Sequence, residues 1–254
     1  NPAAMKQYEG IKHRDDKWDS FFMANMMRLK ILPEGYIYPK EERSVRDLLR
    51  RRLLYVHQRT SHVLSFQSMV SRNLGIQISN NEIQKLKEED GRRMFASSNL
   101  AFMAMNHLKT MAFLEKTIKG IEKEVKSQIK ISKEFKILQT INGVGPILGM
   151  MIMLEVGDIH RFPAAGNYSS YCRCVKSQKI SNNKKKGEGN RKNGNKYLSW
   201  AYVEAANFAV RYCPMAQGFY QRKKAKTNGV SAIKSLANKL CKASYYIIRD
   251  QVPY

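Results

Sequence analysis

The stretch that decides the fold is residues 138–149, with the sequence LQTINGVGPILG. Gly143 and Gly145 stand on either side of one apolar residue, which predicts a tight turn between two short helices. Pro146 suits the first turn of the second helix, because the N–H that proline lacks would have no helical partner there. The second helix then continues through apolar residues and is predicted to end at residues 155–157.

A turn of this kind leaves backbone N–H groups free at the start of the second helix, beside its positive dipole end. A phosphate fits there without any side chain. The pattern resembles the helix-hairpin-helix of many DNA-binding proteins, and Gly143 and Gly145 are therefore candidate nucleic-acid contacts. The alternative is a plain glycine-containing turn between two core helices, and the residues alone leave both interpretations open.

The rest of the chain also favours helix. Proline is scarce, with 7 residues, while methionine, leucine, lysine and glutamate are plentiful. Asp15 and Asp16 are predicted to cap a helix that ends near Leu32, because Pro33 disfavours helix at the residue before it. Residues 35–39 are predicted to form a short extended piece. The fold class is therefore mainly α, and three further helices are predicted after residue 196 to complete a C-terminal helical domain.

Two long stretches, residues 41–73 and 98–131, repeat apolar residues at three- and four-residue steps. A shorter helix, capped by residues 79–81 and running through Asp90, is predicted between them. The pattern is typical of a helical hairpin or coiled-coil arm. Such an arm either forms a contact between protomers or packs on itself. The first stretch also carries several arginines on its polar face, which either lie on a phosphate backbone or are simply solvated.

The charge of the chain points to an acidic partner. Lys and Arg number 45 and Asp and Glu 21, for a net charge of +24. Nucleic acid is the first expectation, because neutralised phosphates release counterions, and an anionic membrane surface is the second. Against a membrane, no stretch reaches the roughly 18–20 apolar residues that span a bilayer. No signal peptide opens the sequence, and four cysteines without a common zinc spacing suit a reducing cytoplasm.

Residues 176–196 form a basic segment that also carries three glycines and five asparagines, and they are predicted to be a loop. Nearby cations stabilise the charge that develops when a hydroxyl attacks a phosphate. Ser177 and Ser181 are therefore candidate nucleophiles, with Tyr168 and Tyr171 as rivals. The alternative is a solvated loop that only grips phosphate. Its candidate nucleic-acid contacts are Lys184, Lys185, Lys186, Arg191 and Lys192.

The order of these features resembles the transposases of the IS-one-ten family of insertion sequences. In that family a Gly-Asp-x-x-Arg-Phe motif follows the helix-hairpin-helix, as Gly157 to Phe162 do here. A tyrosine-containing stretch, a serine loop and a Lys-x-Gly-Asn motif come next, matched by Tyr171, Ser181 and residues 192–195. The resemblance implies that Ser181 is the nucleophile. The sequence departs from the family where Asn182 replaces a glycine and Ile180 a frequent serine.

The start of the chain resembles the closing part of the family's RuvC-like domain, whose four acidic residues hold Mg²⁺. Asp16 and Asp19 match the later acidic pair, and their three-residue spacing places both carboxylates on one helix face. The strands that carry the first two acidic residues would precede Asn1. The resemblance therefore implies three parts: a remnant of the α/β RuvC-like domain at residues 1–58, a helical coiled-coil arm at 59–135 and a transposase domain at 136–254.

The resemblance implies a function as well. It implies DNA strand cleavage and rejoining through a phosphoserine linkage in a bacterial or archaeal cytoplasm, guided by a structured non-coding RNA. Base pairing would then read sequence while the protein reads shape and backbone. A dimer or tetramer is implied by the arm. Two alternatives stay open: a fragment that binds nucleic acid without chemistry, and a purely structural role in assembly.

Overall fold

The computed structural model describes residues 15–128, 133–177, 179–188 and 192–254. Within these ranges the chain is almost entirely helical, as predicted. The helices are α1 (Asp16–Arg28), α2 (Lys40–Leu74), α3 (Asn80–Ile83), α4 (Glu88–Arg93), α5 (Ser98–Gln128), α6 (Lys133–Leu138), α7 (Pro146–Val156), α8 (Ala165–Tyr171), α9 (Lys196–Tyr212), α10 (Pro214–Lys226) and α11 (Gly229–Asp250). A 3₁₀ turn spans Ile159–Arg161, and β1 (Lys179–Ser181) pairs antiparallel with β2 (Lys184–Gly187).

Helix α1 begins at its predicted cap and ends earlier than predicted. The Asp15 carboxylate accepts a hydrogen bond from the Trp18 N–H at 2.6 Å. The helix ends at Arg28 rather than near Leu32, because Lys30 adopts a left-handed backbone conformation with φ of +57°. Among described residues 15–58 there is no strand, and the assignment of this region to a RuvC-like domain stays a prediction.

Residues 35–39 lie outside helix and sheet. The tyrosines in this stretch pack against cations of other elements. The Arg161 guanidinium lies 4.1 Å from the centre of the Tyr36 ring, and the Arg46 guanidinium lies 3.9 Å from that of Tyr38. The predicted extended piece is thus held by its side chains and takes no part in a sheet.

Helices α2 and α5 pack side by side in opposite directions and form the predicted helical hairpin. Three side-chain pairs mark their register: Arg52 with Glu122, Arg59 with Glu115, and His62 with His107. The connection differs from the prediction. Ser79 does cap a helix, but this helix ends at Ile83 and a second one starts at Glu88.

Two hydrophobic cores meet along α2. Its C-terminal half buries Phe66, Met69 and Val70 against α5 and the short connecting helices. Its N-terminal half buries Leu49 and Leu53 in a larger core with α7, α9 and α11. Helix α2 therefore ties the hairpin to the C-terminal half of the chain. The predicted boundary between residues 58 and 59 falls inside this helix, and the division of the chain there stays a prediction.

Helix α7 is the centre of the larger core. Eight of its eleven residues are buried, so it is apolar on every side, as expected for a helix surrounded by others. One of the eight is Glu155, whose side chain is 1% exposed. A carboxylate in such a place is stable only when it is paired and hydrogen-bonded.

Glu155 is held by partners from two other elements. The Arg50 guanidinium on α2 donates to both carboxylate oxygens, at 2.5 and 2.8 Å, and Asn195 Nδ2 donates to Oε2 at 2.6 Å. The hydrogen bonds to Glu155 raise the pKa of Arg50. Asn195 Oδ1 accepts from the N–H groups of Tyr197 and Leu198 and so caps α9. Three helices are thereby fixed around one carboxylate.

No helix in the described ranges is both long enough and apolar enough to cross a bilayer.

Replacing Glu155 with alanine should lower the free energy of unfolding by about 3 kcal/mol or more, since it removes a buried carboxylate that binds both Arg50 and Asn195 and leaves Arg50 only the exposed Asp47 carboxylate at 3.6 Å. Glu122→Ala is the matched control: it breaks another α2 ion pair, with Arg52, but the Glu122 side chain is 23% exposed against 1% for Glu155. It should cost about 1 kcal/mol or less. Urea unfolding followed by circular dichroism measures both. Equal losses for the two variants would contradict the importance of the Glu155 network.

The His62–His107 contact predicts a pH dependence of the arm. The two Nδ1 atoms lie 3.1 Å apart, and burial, followed by the charge of His62, lowers the pKa of His107. Because the unfolded histidine has a pKa of about 6.5, this contribution to stability is full above that pH and is lost as pH falls through the lowered folded pKa.

We expect the thermal unfolding midpoint to drop when the pH is lowered through the range below about 6.5, and His107→Gln to make the drop smaller. His57→Gln, at an exposed position of α2, is the control and should leave the drop unchanged. Calorimetry at several pH values measures it. A pH dependence identical in wild type and His107→Gln would count against this contact as its source.

Candidate nucleic-acid interface

The basic segment contains a β-hairpin, where the sequence predicted only a loop. Strands β1 and β2 are joined by Asn182 and Asn183, whose φ angles are +52° and +58°. Two consecutive left-handed residues make a turn whose twist matches that of paired strands, and asparagine tolerates this conformation better than most residues. The asparagines that suggested a loop are the residues that allow the hairpin.

Ser181 lies at the end of β1, immediately before this turn, and its residue is exposed. Its cross-strand partner is Lys184, which is also exposed. Side chains directly opposite each other on an antiparallel pair lie on the same face, with Cβ atoms about 5 Å apart. A hydroxyl and an ammonium group therefore stand together at an accessible turn, where a phosphodiester can approach both.

The other predicted cations are spread around this turn. Lys186 lies on β2 and is exposed, and Lys192 is exposed beyond the strand. A register shift between Lys179 and Ile180 places Lys186 at the irregular position of the ladder. The backbone of Lys185 pairs with Ile180, whereas Arg191 lies outside the described residues.

The rival nucleophiles are less accessible. The Ser177 hydroxyl oxygen is buried and has no hydrogen-bond partner among the described residues. Tyr168 is fully buried, its oxygen lies 2.6 Å from that of Tyr202, and burial above all raises its pKa. Tyr171 is half-buried with its ring beside the Arg161 guanidinium. Of the four candidates, Ser181 alone is an exposed residue.

The base of the hairpin is fastened by the Lys-x-Gly-Asn motif. Gly194 has a φ of +90°, and a Cβ atom there would lie 2.3 Å from the carbonyl oxygen of Tyr171. Asn195 N–H donates to that same oxygen at 2.6 Å. Arg173 donates to the carbonyl oxygens of residues 192–194. Gly194 is needed because no other residue combines this φ with so close an approach of two backbones.

The Gly-Asp-x-x-Arg-Phe motif also has a structural role. Asp158 caps the 3₁₀ turn by accepting from the His160 N–H at 2.8 Å. Arg161 Nε donates to the Val156 carbonyl, and its guanidinium lies within 4.6 Å of the ring centres of Tyr36, Phe162 and Tyr171. The motif therefore closes the end of α7 and links it to the segment before α2.

The two glycines of the turn before α7 lie in different surroundings. Gly143 has a φ of +93° and packs against α9, where an added Cβ would lie 2.2 Å from the Ala205 carbonyl oxygen. Gly145 caps α7, is exposed, and has open space where a Cβ would be. No side chain caps α7. The turn also lines a cavity of about 730 Å³. Gly143 thus seats the turn on α9, and Gly145 lies on the side that a ligand can reach.

The predicted metal ligands lie apart from any larger acidic group. Asp16 and Asp19 are both exposed in the first turn of α1. Among the residues that the structure describes, no three His, Cys, Asp or Glu side chains come together in a way that could hold a metal ion. These residues alone therefore do not fit a complete Mg²⁺ site.

Sequence reasoning did not find Glu155, Arg50 or Arg173 as residues that shape this region. In the sequence Glu155 marks only the end of a helix, and Arg50 is one of several arginines on a polar face. The sequence does contain one signal for Glu155. This residue lies inside the otherwise apolar run 146–156, and a carboxylate in such a run needs a buried partner.

Comparison with known proteins identifies the C-terminal part. Residues 135–221 match the model of the family described as "Transposase IS116/IS110/IS902 family". This stretch contains the turn before α7, both motifs and the Ser181 hairpin. Over these residues the chain is similar to the IS116/IS110/IS902 transposases. The resemblance read from the sequence is confirmed for this part of the chain.

Individual proteins of insertion elements are similar to this chain as well. The chain is 30% identical over 98 residues to the transposase for insertion sequence element IS1111A of Coxiella burnetii, which covers 39% of the chain and 27% of the relative. It is 22% identical over 139 residues to a 44.8 kDa protein of insertion element IS116 of Streptomyces clavuligerus, and 23% over 137 residues to a 43.6 kDa protein of insertion element IS110 of Streptomyces coelicolor. Each of these two matches covers 54% of the chain, with 35% and 34% of the respective relative. The chain therefore spans about a third of the length of the curated relatives it matches.

The two glycines of the turn predict different effects on the stability of the transposase domain. Gly143→Ala should lower the free energy of unfolding by at least about 2 kcal/mol, because it adds a backbone clash to an unfavourable φ. Gly145→Ala, with a φ of −83° and open space around it, only replaces a glycine N-cap and should cost about 1 kcal/mol or less. Thermal unfolding measures both variants. A mild effect of Gly143→Ala would contradict the packing of this turn on α9.

Proposed function

We propose that this chain is part of an insertion-sequence transposase that cleaves and rejoins DNA strands, with Ser181 as the nucleophile. The observation that carries the proposal is the position of Ser181: an exposed residue at a two-residue turn, opposite Lys184, within a domain of the transposase family. The net charge of +24 supports a nucleic-acid partner.

The chemistry balances without an energy-rich cofactor. The Ser181 oxygen forms a bond to a DNA phosphorus while one phosphodiester P–O bond breaks, and the proton of the serine passes to the sugar oxygen that leaves. A sugar hydroxyl of a second strand then attacks the phosphoserine, re-forms a phosphodiester and returns the serine hydroxyl. One phosphodiester is consumed and one is formed, so strands are exchanged without loss of bond energy.

The cations around the turn have a defined part in this reaction. Negative charge on the phosphate oxygens increases in the transition state, and a nearby ammonium group stabilises it more than the ground state. Lys184 stands opposite the serine for this purpose, while Lys186 and Lys192 are exposed to hold flanking phosphates. The open turn at Gly145 offers free backbone N–H groups of α7 to a further phosphate.

A Mg²⁺ ion would need more ligands than the described residues bring together. Asp16 and Asp19 would supply two carboxylates, and further acidic residues would have to come from a partner or from sequence that adjoins this chain. When bound, the ion would stabilise charge on the reacting phosphate. No step above is assigned to it.

We further propose that a structured non-coding RNA directs the strand exchange and that the chain works as a dimer or tetramer through the α2–α5 arm. A strongly basic surface suits recognition of RNA backbone and shape. The arm exposes large apolar side chains, Leu64, Phe102 and Phe113 among them, that a second copy can cover.

The test is Ser181→Ala, assayed in the intact transposase on a nicked DNA substrate whose cleaved end diffuses away. Wild type should accumulate a covalent protein–DNA adduct, and the variant should form none and lose strand exchange by at least about a thousandfold. Ser170→Ala is the control, because Ser170 is an exposed serine of the same domain that lies on α8. Denaturing gels and mass spectrometry of the adduct peptide identify the linked residue.

The same assay separates the alternatives. Strand exchange that survives Ser181→Ala would exclude this nucleophile. This chain is then compared with the intact protein under the same conditions. If the intact protein forms the adduct while this chain binds DNA in a salt-sensitive way and forms none, the chain alone is a binding module. The incomplete acidic group among the described residues favours that second outcome for the chain on its own.

A further inference from the structure

A second cavity, of about 690 Å³, lies between α2 and the first turns of α9. It is distinct from the Ser181 hairpin, and it borders the larger cavity at the turn before α7, with Trp200 lining both. Cationic and aromatic side chains line it together with Leu53, Leu54 and Asp47. Those that carry the argument are Arg50, Arg51, His57, Lys196, Tyr197 and Trp200.

The charge of this cavity is unbalanced. Glu155 already neutralises Arg50, and the one acidic lining residue, Asp47, lies 3.6 Å from Arg50 and 3.5 Å from Arg46. Arg51 and Lys196 are exposed, and neither forms an ion pair with a carboxylate among the described residues. Helix α9 also begins here, and its Tyr197 and Leu198 N–H groups already donate to Asn195. Arg51 and Lys196, the two cations with no ion pair among the described residues, are therefore what favours an anion.

The aromatic rings add a second requirement. Tyr197 and Trp200 are three residues apart on α9, so they lie on one face of the helix. Both are half-buried and both line the cavity. The Arg50 guanidinium is 4.6 Å from the centre of the Tyr197 ring and is held there by Glu155, and the Lys196 ammonium is 5.1 Å from the same centre. The Tyr197 ring is thus occupied by cations, and Trp200 offers an aromatic surface one turn further along.

We infer that this cavity binds one unpaired nucleotide of a nucleic-acid strand. Its base stacks on Trp200, beside Tyr197, and its phosphate contacts Arg51 and Lys196. An aromatic surface beside unpaired cations is what single strands require, because stacking recognises the base while the cations follow the backbone. The volume lies within the range usual for small-ligand sites. The inference rests on the proposed nucleic-acid binding and is independent of the serine chemistry.

Bases in an intact duplex are stacked on one another and cannot enter such a cavity. The site therefore discriminates between unpaired and paired strands, which a basic surface alone does not. A displaced DNA strand and a single-stranded segment of RNA share the required chemistry. The experiment below distinguishes these two sources by using both.

The chain offers a direct probe, because Trp200 is one of only two tryptophans, the other being Trp18. In Trp18→Phe, the fluorescence of Trp200 reports on its own surroundings. Titration with an eight-nucleotide thymidine strand should quench this fluorescence to a saturating level. An abasic strand of equal length, which keeps the phosphates, and a blunt duplex should quench far less. Oligouridine, in parallel, tests whether RNA is accepted as well as DNA.

Two substitutions test the contacts. Trp200→Leu preserves apolar volume and should weaken single-strand binding at least about fivefold, as expected for loss of one base–aromatic stack. Its control is Phe21→Leu, an exposed aromatic on α1. Arg51→Ala should reduce the dependence of binding on salt by about one ion, with duplex binding nearly unchanged. Its control is Arg72→Ala, an exposed arginine 21 residues further along α2. Circular dichroism establishes that each variant is folded.

Three outcomes are decisive. The inference is supported if strands that carry bases quench Trp200 selectively, Trp200→Leu weakens single-strand binding measured by the anisotropy of a labelled strand, Arg51→Ala lowers the salt dependence, and the controls do neither. Strong single-strand binding by wild type that neither quenches Trp200 nor changes in Trp200→Leu overturns the inference and leaves the proposed function intact. Absence of any nucleic-acid binding by wild type overturns both. Ser181→Ala should bind like wild type throughout.

Discussion

The buried carboxylate of Glu155 is the constraint around which the C-terminal half is arranged. It lies in a helix otherwise apolar on all sides, where an unpaired charge would be very unfavourable. Arg50 reaches it from α2 and Asn195 from the start of α9. Satisfying one charge therefore fixes the relative positions of three helices, and it does so with directional hydrogen bonds that apolar packing cannot supply.

This arrangement connects structure to the proposed chemistry. Asn195 ends the Lys-x-Gly-Asn motif, which follows the Ser181 hairpin in sequence. Its backbone N–H binds the Tyr171 carbonyl while its side chain binds Glu155. The chain is thus fastened on both sides of the hairpin, before it through Tyr171 and after it through Asn195. A nucleophile on an exposed turn needs such a rigid base, because small displacements of reacting atoms reduce rate steeply.

The same network joins the two regions that we propose contact nucleic acid. Arg50 lies between Glu155 and the Tyr197 ring, so the carboxylate that fixes α9 also orients one wall of the cationic cavity. Helix α2 in turn carries this wall into the α2–α5 arm. Helix α2, with 35 residues, therefore connects the surface of the arm directly to the core that contains α7 and α9.

The amino-acid sequence by itself determined the helices, because apolar periodicity and capping residues act over a few neighbouring positions. Residues 41–73 were predicted as one helix and form α2 within a residue at each end, and Asp15 caps α1 as expected. Motif order likewise pointed to the transposase family and to Ser181. Local preference misjudged the segment 176–196, because asparagine suits both loops and the left-handed turn of a hairpin.

Only the tertiary structure decided which polar residues meet. Arg50 and Glu155 are 105 residues apart, and no periodicity relates them. Their pairing follows from the burial of Glu155, whose charge is very unfavourable without a partner. Gly143 and Gly145 look equivalent in sequence, yet one packs on α9 and the other is open. Ser181 is exposed, and Arg51 and Lys196 beside Trp200 form no ion pair among the described residues, because of how distant helices pack around them. This is a property of packing and not of local sequence.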